Sequence, residues 1–417
     1  MGKLRIAVWH NLPSGGAKRL LWHYIDGLSK RGHYVEAWCP ATADQKYMPL
    51  GGLCTEHILP FTLPEEKKTL PLLGWIADRA TMQARIAALR EHGRECARQI
   101  TAGGFDVLLA NSCRFLTMPA IARYVKIPKA IVLGEPNRRL YEAMPELMWA
   151  APAPRGDGEL MAGFFPLLRS TLKLKHLRLQ MREEIENAKH FDRILVNSFF
   201  SRESVLRAYG LESEVCYLGV DTGYFQPTEG VKGKYVIGLG SVHFHKGVDR
   251  AIRAVGMMPA AGRPKLIWVG NDSSEQTTRE YRELAQSLGV ELEIKVLVPD
   301  AELIALLGRA AAMLYTSRLE PFGMAPLEAN ACGTPVVAVA EGGVRETLAP
   351  GENGLLAADA RPETIAATLR ELLENPARLA ELRGRCRAAV VARWDMSGAV
   401  TRLETSLTAL TMEKSRA

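Results

Sequence analysis

The sequence predicts an α/β protein made of two consecutive doubly wound domains, and three observations carry that prediction. The chain has 417 residues, room for two to three domains at about 150 residues each. Short apolar runs alternate with helical periodicities, which is the grammar of βαβ units and parallel sheets. The pattern then restarts, with one α/β run closing near residue 218 and another opening after a join at Gly219–Lys234. With 47% hydrophobic and 24% charged residues, composition is globular and excludes disorder, collagen and coiled coil.

In order, Leu4–Trp9 predicts a first buried strand, Pro13-Ser14-Gly15-Gly16 a turn, Ala17–Lys30 a helix and Tyr34–Cys39 a second strand. Helical periodicity over 76–101 precedes strands at Asp106–Ala110 and Ala130–Leu133. Residues 150–168, rich in Ala, Pro and Gly, predict a loop; a helix over Arg169–Lys189 and a strand at Arg193–Asn197 follow. In the second run, strands are expected at Tyr235–Leu239, Leu266–Val269, Glu293–Leu297, Ala312–Tyr315 and Pro335–Ala338. Between and after them come helices at Val248–Met257, Tyr281–Leu288, Ala301–Ala311, Pro326–Ala331, Pro362–Leu373 and Pro376–Val391. A last helix starts near Arg393-Trp394 and runs to about 411. Ligands of open α/β sheets sit beyond the carboxyl ends of the strands, so a cleft between two facing domains is the expected site.

Charge is divided unevenly. Residues 1–210 carry 30 Lys+Arg against 20 Asp+Glu, and residues 211–417 carry 23 against 26. A basic half suits an anionic ligand or surface; without interleaved basic and aromatic runs, nucleic acid is not the expected partner. The seven cysteines are scattered with no CxxC, which points away from a disulfide framework or zinc ribbon and toward a reducing cytoplasm. No apolar stretch reaches the ~18 residues of a membrane span, and the amino terminus reads as a strand, not a signal peptide.

The most informative stretch is Ser317-Arg318-Leu319-Glu320-Pro321-Phe322-Gly323-Met324-Ala325-Pro326-Leu327-Glu328. Glu320 follows a strand at its carboxyl edge, and Phe322-Gly323-Met324 lead into the first turn of a helix, whose free N–H groups favour phosphate. Glu328 lies further along the same edge. An anion seat flanked by two carboxylates fits a sugar nucleotide; helix capping and dipole complementation by acidic residues fit the spacing equally well.

Glu320-Pro321-Phe322-Gly323 with Glu328, Ala331-Cys332-Gly333-Thr334-Pro335 and Glu341-Gly342-Gly343 resemble the signature of retaining glycosyltransferases of family 4, with its E-x7-E pair. Leu218-Gly219-Val220-Asp221, Lys246-Gly247-Val248-Asp249 and Gly351–Leu355 extend the likeness over the C-terminal half. In the N-terminal half it is confined to Gly15-Gly16-Ala17 with Arg19, Arg31-Gly32-His33, and Glu135-Pro136 with Arg138 and Tyr141.

The resemblance implies the GT-B fold: two facing Rossmann-like domains, 1–218 for the acceptor and 219–392 for the nucleotide sugar, with a helix at 393–411 crossing back onto the first. It implies transfer of a hexose-type sugar from a nucleotide-diphosphate sugar, UDP- or GDP-linked, to a carbohydrate acceptor, a lipid-linked one included. Glu320 would touch the transferred sugar and Lys246 the departing diphosphate, with Ser241 and the N–H groups of Phe322, Gly323 and Met324 beside them. Glu328 would hold the ribose. Gly270, Asn271 and Val298 would lie against the base, and Gly15 and Gly16 against donor phosphates and acceptor. Without an Asp-x-Asp motif, no metal and no cofactor beyond the donor are expected.

Two positions depart from the family pattern. Gly240-Ser241 stands where an arginine commonly precedes the lysine, and Gly134 where a histidine commonly contacts the sugar, leaving Glu135 or Arg138 for donor sugar or acceptor. Those departures keep two further readings open: a sugar-nucleotide-binding protein with weakened catalysis, and a sugar-nucleotide epimerase of similar architecture. Around the apolar stripe Leu174, Leu177, Met181 and Ile185 stand Lys173, Lys175, Arg178 and Arg182, after Phe164-Phe165. Residues 164–189 therefore fit either a helix peripheral to the anionic inner face of a membrane or a core-facing helix with a solvated basic face.

Overall fold

The structure is a computed structural model that describes residues 2–64, 74–144, 164–230 and 233–416. The chain forms two compact units: Met1–Val196, Arg202–Val215 and Arg402–Ala417 make the first, Asn197–Ser201 and Cys216–Thr401 the second.

The first unit runs β1 (Arg5–Asn11), α1 (Gly16–Lys30), β2 (Tyr34–Pro40), β3 (Thr55–Leu59), α2 (Gly74–Gly103), β4 (Val107–Cys113), β5 (Lys129–Leu133), α3 (Arg138–Tyr141), α4 (Phe164–Ala188), β6 (Arg193–Val196), α5 (Phe199–Tyr209) and β7 (Glu214–Val215). The strands form one parallel sheet in the order β3-β2-β1-β4-β5-β6-β7. From β1 the chain winds out to β3, then returns to the other side of β1 at β4, which makes the β1/β4 edge the topological switch point. Strand β1 is buried along Ile6–Asn11, matching the continuous apolar run of a strand covered on both faces.

The second unit runs β8 (Tyr235–Leu239), α6 (Val248–Gly256), β9 (Lys265–Gly270), α7 (Glu275–Ser287), β10 (Leu292–Val296), α8 (Asp300–Arg309), β11 (Ala312–Tyr315), α9 (Met324–Ala331), β12 (Val336–Val339), α10 (Val344–Thr347), β13 (Gly354–Ala357), α11 (Pro362–Leu373) and α12 (Pro376–Trp394). Its sheet is parallel, ordered β10-β9-β8-β11-β12-β13, with the switch point at β8/β11. A core of Val236, Leu266, Trp268, Leu314, Val337 and the inner faces of α6 and α11 fills it. The final helix, α13 (Met396–Arg416), begins in the second unit and ends in the first. Within the first unit Glu404 on α13 takes Arg31 at 2.6 Å and His33 at 2.9 Å, and Glu413 takes Arg193 at 2.8 Å. Both sheets are the Rossmann-like, parallel α/β sheets that the sequence predicts.

Several elements depart from the expectation. Strand β3 is an edge strand whose residues, Thr-Glu-His-Ile-Leu, are mostly polar or exposed, so it reads as a loop in sequence. Residues 164–168 belong to α4 rather than to the expected loop, whose remaining residues 150–163 lie outside the described ones. Helix α7 starts six residues before Tyr281 because Ser274 accepts a hydrogen bond from Thr277 N at 3.0 Å and caps a polar first turn that carries no apolar period. Side chains 164–173 lie outside the described residues; beyond them Leu177, Gln180, Glu183 and Asn187 are buried while Arg178 and Arg182 are exposed. Glu183 takes Arg90 of α2 at 2.8 Å, so this half of α4 is core-facing with a solvated basic face. No described helix is long and apolar enough to cross a membrane, and all seven cysteines are free.

Candidate functional site

The loops after β8 and β11 leave the second sheet at its switch point, where diverging strands open a crevice. The β8 loop turns through Gly240 and a single helical turn, Phe244–Lys246, and ends at Gly247 in the left-handed conformation with φ 71°. A Cβ at Gly247 would run into the carbonyl of Thr316, so only glycine lets the two loops touch here. Arg318 then clamps them. Its guanidinium forks onto Asp249 at 2.9 and 2.7 Å, donates to the Phe244 carbonyl at 2.5 Å and lies 3.8 Å over the Phe244 ring.

The clamp brings Lys246 Nζ to 2.8 Å from Glu320 Oε2. Ser317 Oγ lies 2.6 Å from the same oxygen and 3.1 Å from the His245 carbonyl. That carbonyl already accepts Arg318 N at 2.7 Å, so the single Ser317 proton goes to the carboxylate, the stronger acceptor. Beneath it, burial and then the Glu320 charge hold the Tyr315 phenol well above its usual range, which keeps it a neutral donor. Leu319 adopts a positive φ of 45° just before Glu320, a strained conformation for a branched residue. The Glu320 carbonyl accepts Gly343 N at 2.7 Å, which ties the Glu341-Gly342-Gly343 turn beneath this loop.

Gly323, with φ 97°, is the N-cap of α9 and Met324 its first residue, so the leading N–H groups of that helix have no carbonyl one turn back. Phe322 is buried, its ring 5.5 Å from that of Trp394 and 6.3 Å from that of Tyr217; the side chain anchors the turn. Glu328 is buried one turn into α9. Gly270 closes β9 beside Val296 of β10, and its carbonyl accepts Leu297 N at 2.9 Å, so Gly270, Asn271 and Val298 come together at one strand edge. Ser241 sits in the β8 loop, where its carbonyl accepts His243 N. His243 itself is turned toward Asp272 at 3.3 Å.

In the first unit Gly15 is the N-cap of α1 and Gly16 its first residue, at the carboxyl end of β1. Glu135 and Arg138 follow β5, where Arg138 Nε lies 2.5 Å from Glu135 and 3.8 Å from Glu142. Among the described residues one group has metal-ligand chemistry, His10, Cys39 and Glu56, whose ligand atoms lie within 4.8 Å of one another. Lys18, buried in the same place, lowers the His10 pKa after burial itself, so a cation already stands where a second would be repelled. Sequence reasoning missed Arg318, Ser317 and Tyr315. Their signal is the placement of Asp249 one turn after Lys246 and of Arg318 two residues before Glu320.

Residues 224–390 match the family model of glycosyl transferases group 1. That region holds Lys246, Glu320, Glu328 and the α9 turn. The chain is 32% identical over 214 residues to a D-inositol 3-phosphate glycosyltransferase of Catenulispora acidiphila, covering 46% of this chain and 51% of that one. It is 32% identical over 227 residues to the MMP alpha-(1->4)-mannosyltransferase of Mycolicibacterium hassiacum, 51% of this chain and 54% of that one. The chain thus spans about half the length of these curated relatives.

Solved structures match more of the chain. Sucrose-phosphate synthase from Thermosynechococcus elongatus superposes with TM-score 0.71 at 17% identity, over 98% of this chain and 100% of that one. Anabaena HepE in complex with UDP-glucose gives 0.68 at 19%, over 97% and 100%. These likenesses establish the fold, the GT-B class of two Rossmann-like units.

Proposed function

We propose that this protein is a retaining glycosyltransferase that moves a hexose-type sugar from a nucleotide-diphosphate sugar to an acceptor hydroxyl, with UDP- or GDP-linked sugars as donors. The observation that carries the reading is the 2.8 Å Lys246–Glu320 ion pair at the mouth of a free helix N-terminus, inside the group 1 region. The relatives named as glycosyltransferases and the neighbour solved with UDP-glucose support it.

In this reading the donor diphosphate lies against the N–H groups of Phe322, Gly323 and Met324 and beside Ser241, with Glu328 on the ribose and Gly270, Asn271 and Val298 along the base. Gly15 and Gly16 serve donor phosphates and acceptor, which the first unit binds. Without ligand, Glu320 holds Lys246 in place; an arriving diphosphate is the stronger pole, draws the ammonium to itself and leaves Glu320 for the sugar. The acceptor oxygen then bonds to the anomeric carbon on the face from which the diphosphate leaves. The bond from that carbon to the diphosphate oxygen breaks, and the acceptor proton passes to the departing phosphate. Lys246 and the α9 N-terminus stabilise the charge that develops there, a role that needs no Asp-x-Asp motif.

The test is thermal stability against UDP, GDP, ADP and CMP, each with and without a chelator. A ligand at 100 times its Kd adds about 2.7 kcal/mol. One diphosphate should raise the melting temperature, unaffected by chelator, and the rise should be lost in Lys246→Ala. No response to any of the four would refute the nucleotide site. A response without sugar transfer from the matching donor would favour a binding protein with weakened catalysis.

A further inference from the structure

The peptide that follows Glu320 is held by a residue outside the predicted site. After β6 the chain leaves the first unit, and Asn197–Ser201 belongs to the second. There Ser198, fully buried, donates its hydroxyl to the carbonyl of buried Pro321 at 2.5 Å. The neighbours fix the direction of that bond. Ser201 donates its own hydroxyl to Asn197 Oδ1 at 2.7 Å, and Ser201 N donates to Ser198 Oγ at 3.0 Å. The single Ser198 proton then takes its nearest acceptor. Pro321 is nearer than Ser201 Oγ at 3.1 Å or Asn197 Oδ1 at 3.3 Å.

Helix α10 ties this contact to the rest of the site. Gly343, at its head, donates to the Glu320 carbonyl at 2.7 Å. A Cβ there would run into the Pro321 carbonyl and crowd Ser198 Oγ. Glu346 of α10 accepts the first two N–H groups of α5, Phe199 at 2.9 Å and Phe200 at 3.0 Å, and the Tyr217 hydroxyl at 2.9 Å. Capping of α5 thus uses acceptors only, and the Ser198 proton has no part in it.

Two donors, Gly343 N and Ser198 Oγ, therefore fix the consecutive carbonyls of Glu320 and Pro321. Just before them Leu319 keeps its strained φ of 45°, a conformation that lasts only where the surroundings over-determine it. Pro321 restricts Glu320 to extended backbone, so relaxation at Leu319 would swing the Glu320 carboxylate away from Lys246. The next turn has anchors of its own. Thr347 Oγ1 lies 3.2 Å from the Phe322 carbonyl, and the buried Phe322 ring packs on Trp394.

We infer that Ser198 is a positioning residue: acting through the Pro321 peptide, its hydroxyl holds the Glu320 carboxylate where the sugar arrives, while the diphosphate seat at α9 stands without it. The role rests on the proposed transferase reading, which assigns the sugar to Glu320.

The experiment is steady-state transfer, with the donor that the nucleotide screen selects, in Ser198→Gly, Ser198→Cys and Ser201→Ala. Glycine caps a helix nearly as well as serine but donates nothing to Pro321. Ser198→Gly should lower kcat about tenfold or more, with donor KM within about twofold of wild type and the nucleotide melting response kept. Ser198→Cys leaves a weak donor at the same place and should lose less. Ser201→Ala removes a buried hydroxyl of the same cluster without touching Pro321, and kcat should stay within about twofold. A Ser198→Gly variant as fast as wild type overturns the inference, as does an equal loss in Ser201→Ala or a nucleotide response lost together with kcat. Should Ser198→Gly fail to fold, Ser198→Cys decides: lowered kcat with the nucleotide response intact supports the role, and wild-type kcat overturns it. A wild-type protein that neither binds a nucleoside diphosphate nor transfers sugar refutes the transferase reading and this role with it; one that transfers sugar no faster than Ser198→Gly refutes the role alone.

Discussion

The two units solve one topological problem with opposite electrostatics. In the second, the switch point closes on itself: Lys246 is matched to Glu320, Arg318 to Asp249, and Arg250 to Glu341 at 2.9 Å. In the first, the switch point separates its charges. His10 and Glu56 pair at 3.2 Å inside the unit, with Lys18 buried beside them, while Arg114 and Arg139 are exposed on the loops after β4 and β5. A self-neutralised crevice is poised for a ligand that displaces an internal partner.

The largest effect should come from breaking the matched pair. Lys246→Ala should lower kcat by about 10²- to 10³-fold, measured with the donor that the nucleotide screen selects. An unchanged kcat would remove Lys246 from the site.

Gly247→Ala attacks the scaffold beneath that pair. The left-handed φ of 71° and the closeness of the Thr316 carbonyl should cost about 3 kcal/mol. Calorimetry should show the transition of the second unit falling while that of the first stays in place; a variant as stable as wild type would show that the two loops are not held as described.

Acid should distinguish the units the other way round. His92, in the first unit, accepts a hydrogen bond from Trp9 Nε1 at 3.3 Å, and burial lowers its pKa to about 4. The unfolded chain binds a proton below about 6.5 while the folded one stays neutral, so this contribution is full above pH 6.5 and declines as the pH falls toward 4. The slope is about 1.4 kcal/mol per pH unit. Urea unfolding between pH 7 and 4 should show a shallower slope in His92→Gln, which keeps an acceptor for the indole, than in wild type, the remainder coming from buried His10; equal slopes would rule out His92 as a cause.

The smallest effect concerns Leu297, 75% exposed with a positive φ of 56° beside Gly270. Leu297→Gly should relieve strain and change stability by less than about 1 kcal/mol. If this side chain covers the base, UDP affinity falls by a few-fold in the same variant, and unchanged affinity removes it from the site.

The units also differ in how far sequence reveals them. Tyr235–Leu239 and Ala312–Tyr315 begin and end where their apolar runs do, and Glu320, Phe322-Gly323 and Lys246 sit at their ends within short motifs, so the matched site was legible. Strand β3 was not, because an edge strand of polar residues lacks a buried period. That Glu135 and Arg138 pair at 2.5 Å was not legible either, because three-residue spacing alone does not say which way a loop turns its side chains.

The sequence by itself determined the two parallel α/β sheets, the order of most elements and the acidic and basic residues that end the second sheet's strands, because those features rest on local periodicity and on spacing within a few residues. Only the tertiary structure decided which charges meet. Lys246 and Glu320 are 74 residues apart, and Arg318 and Asp249 are 69 apart. Whether a charge is cancelled depends on distances of a few ångströms across loops that the sheet's strand order brings together, and no local pattern in the chain encodes them.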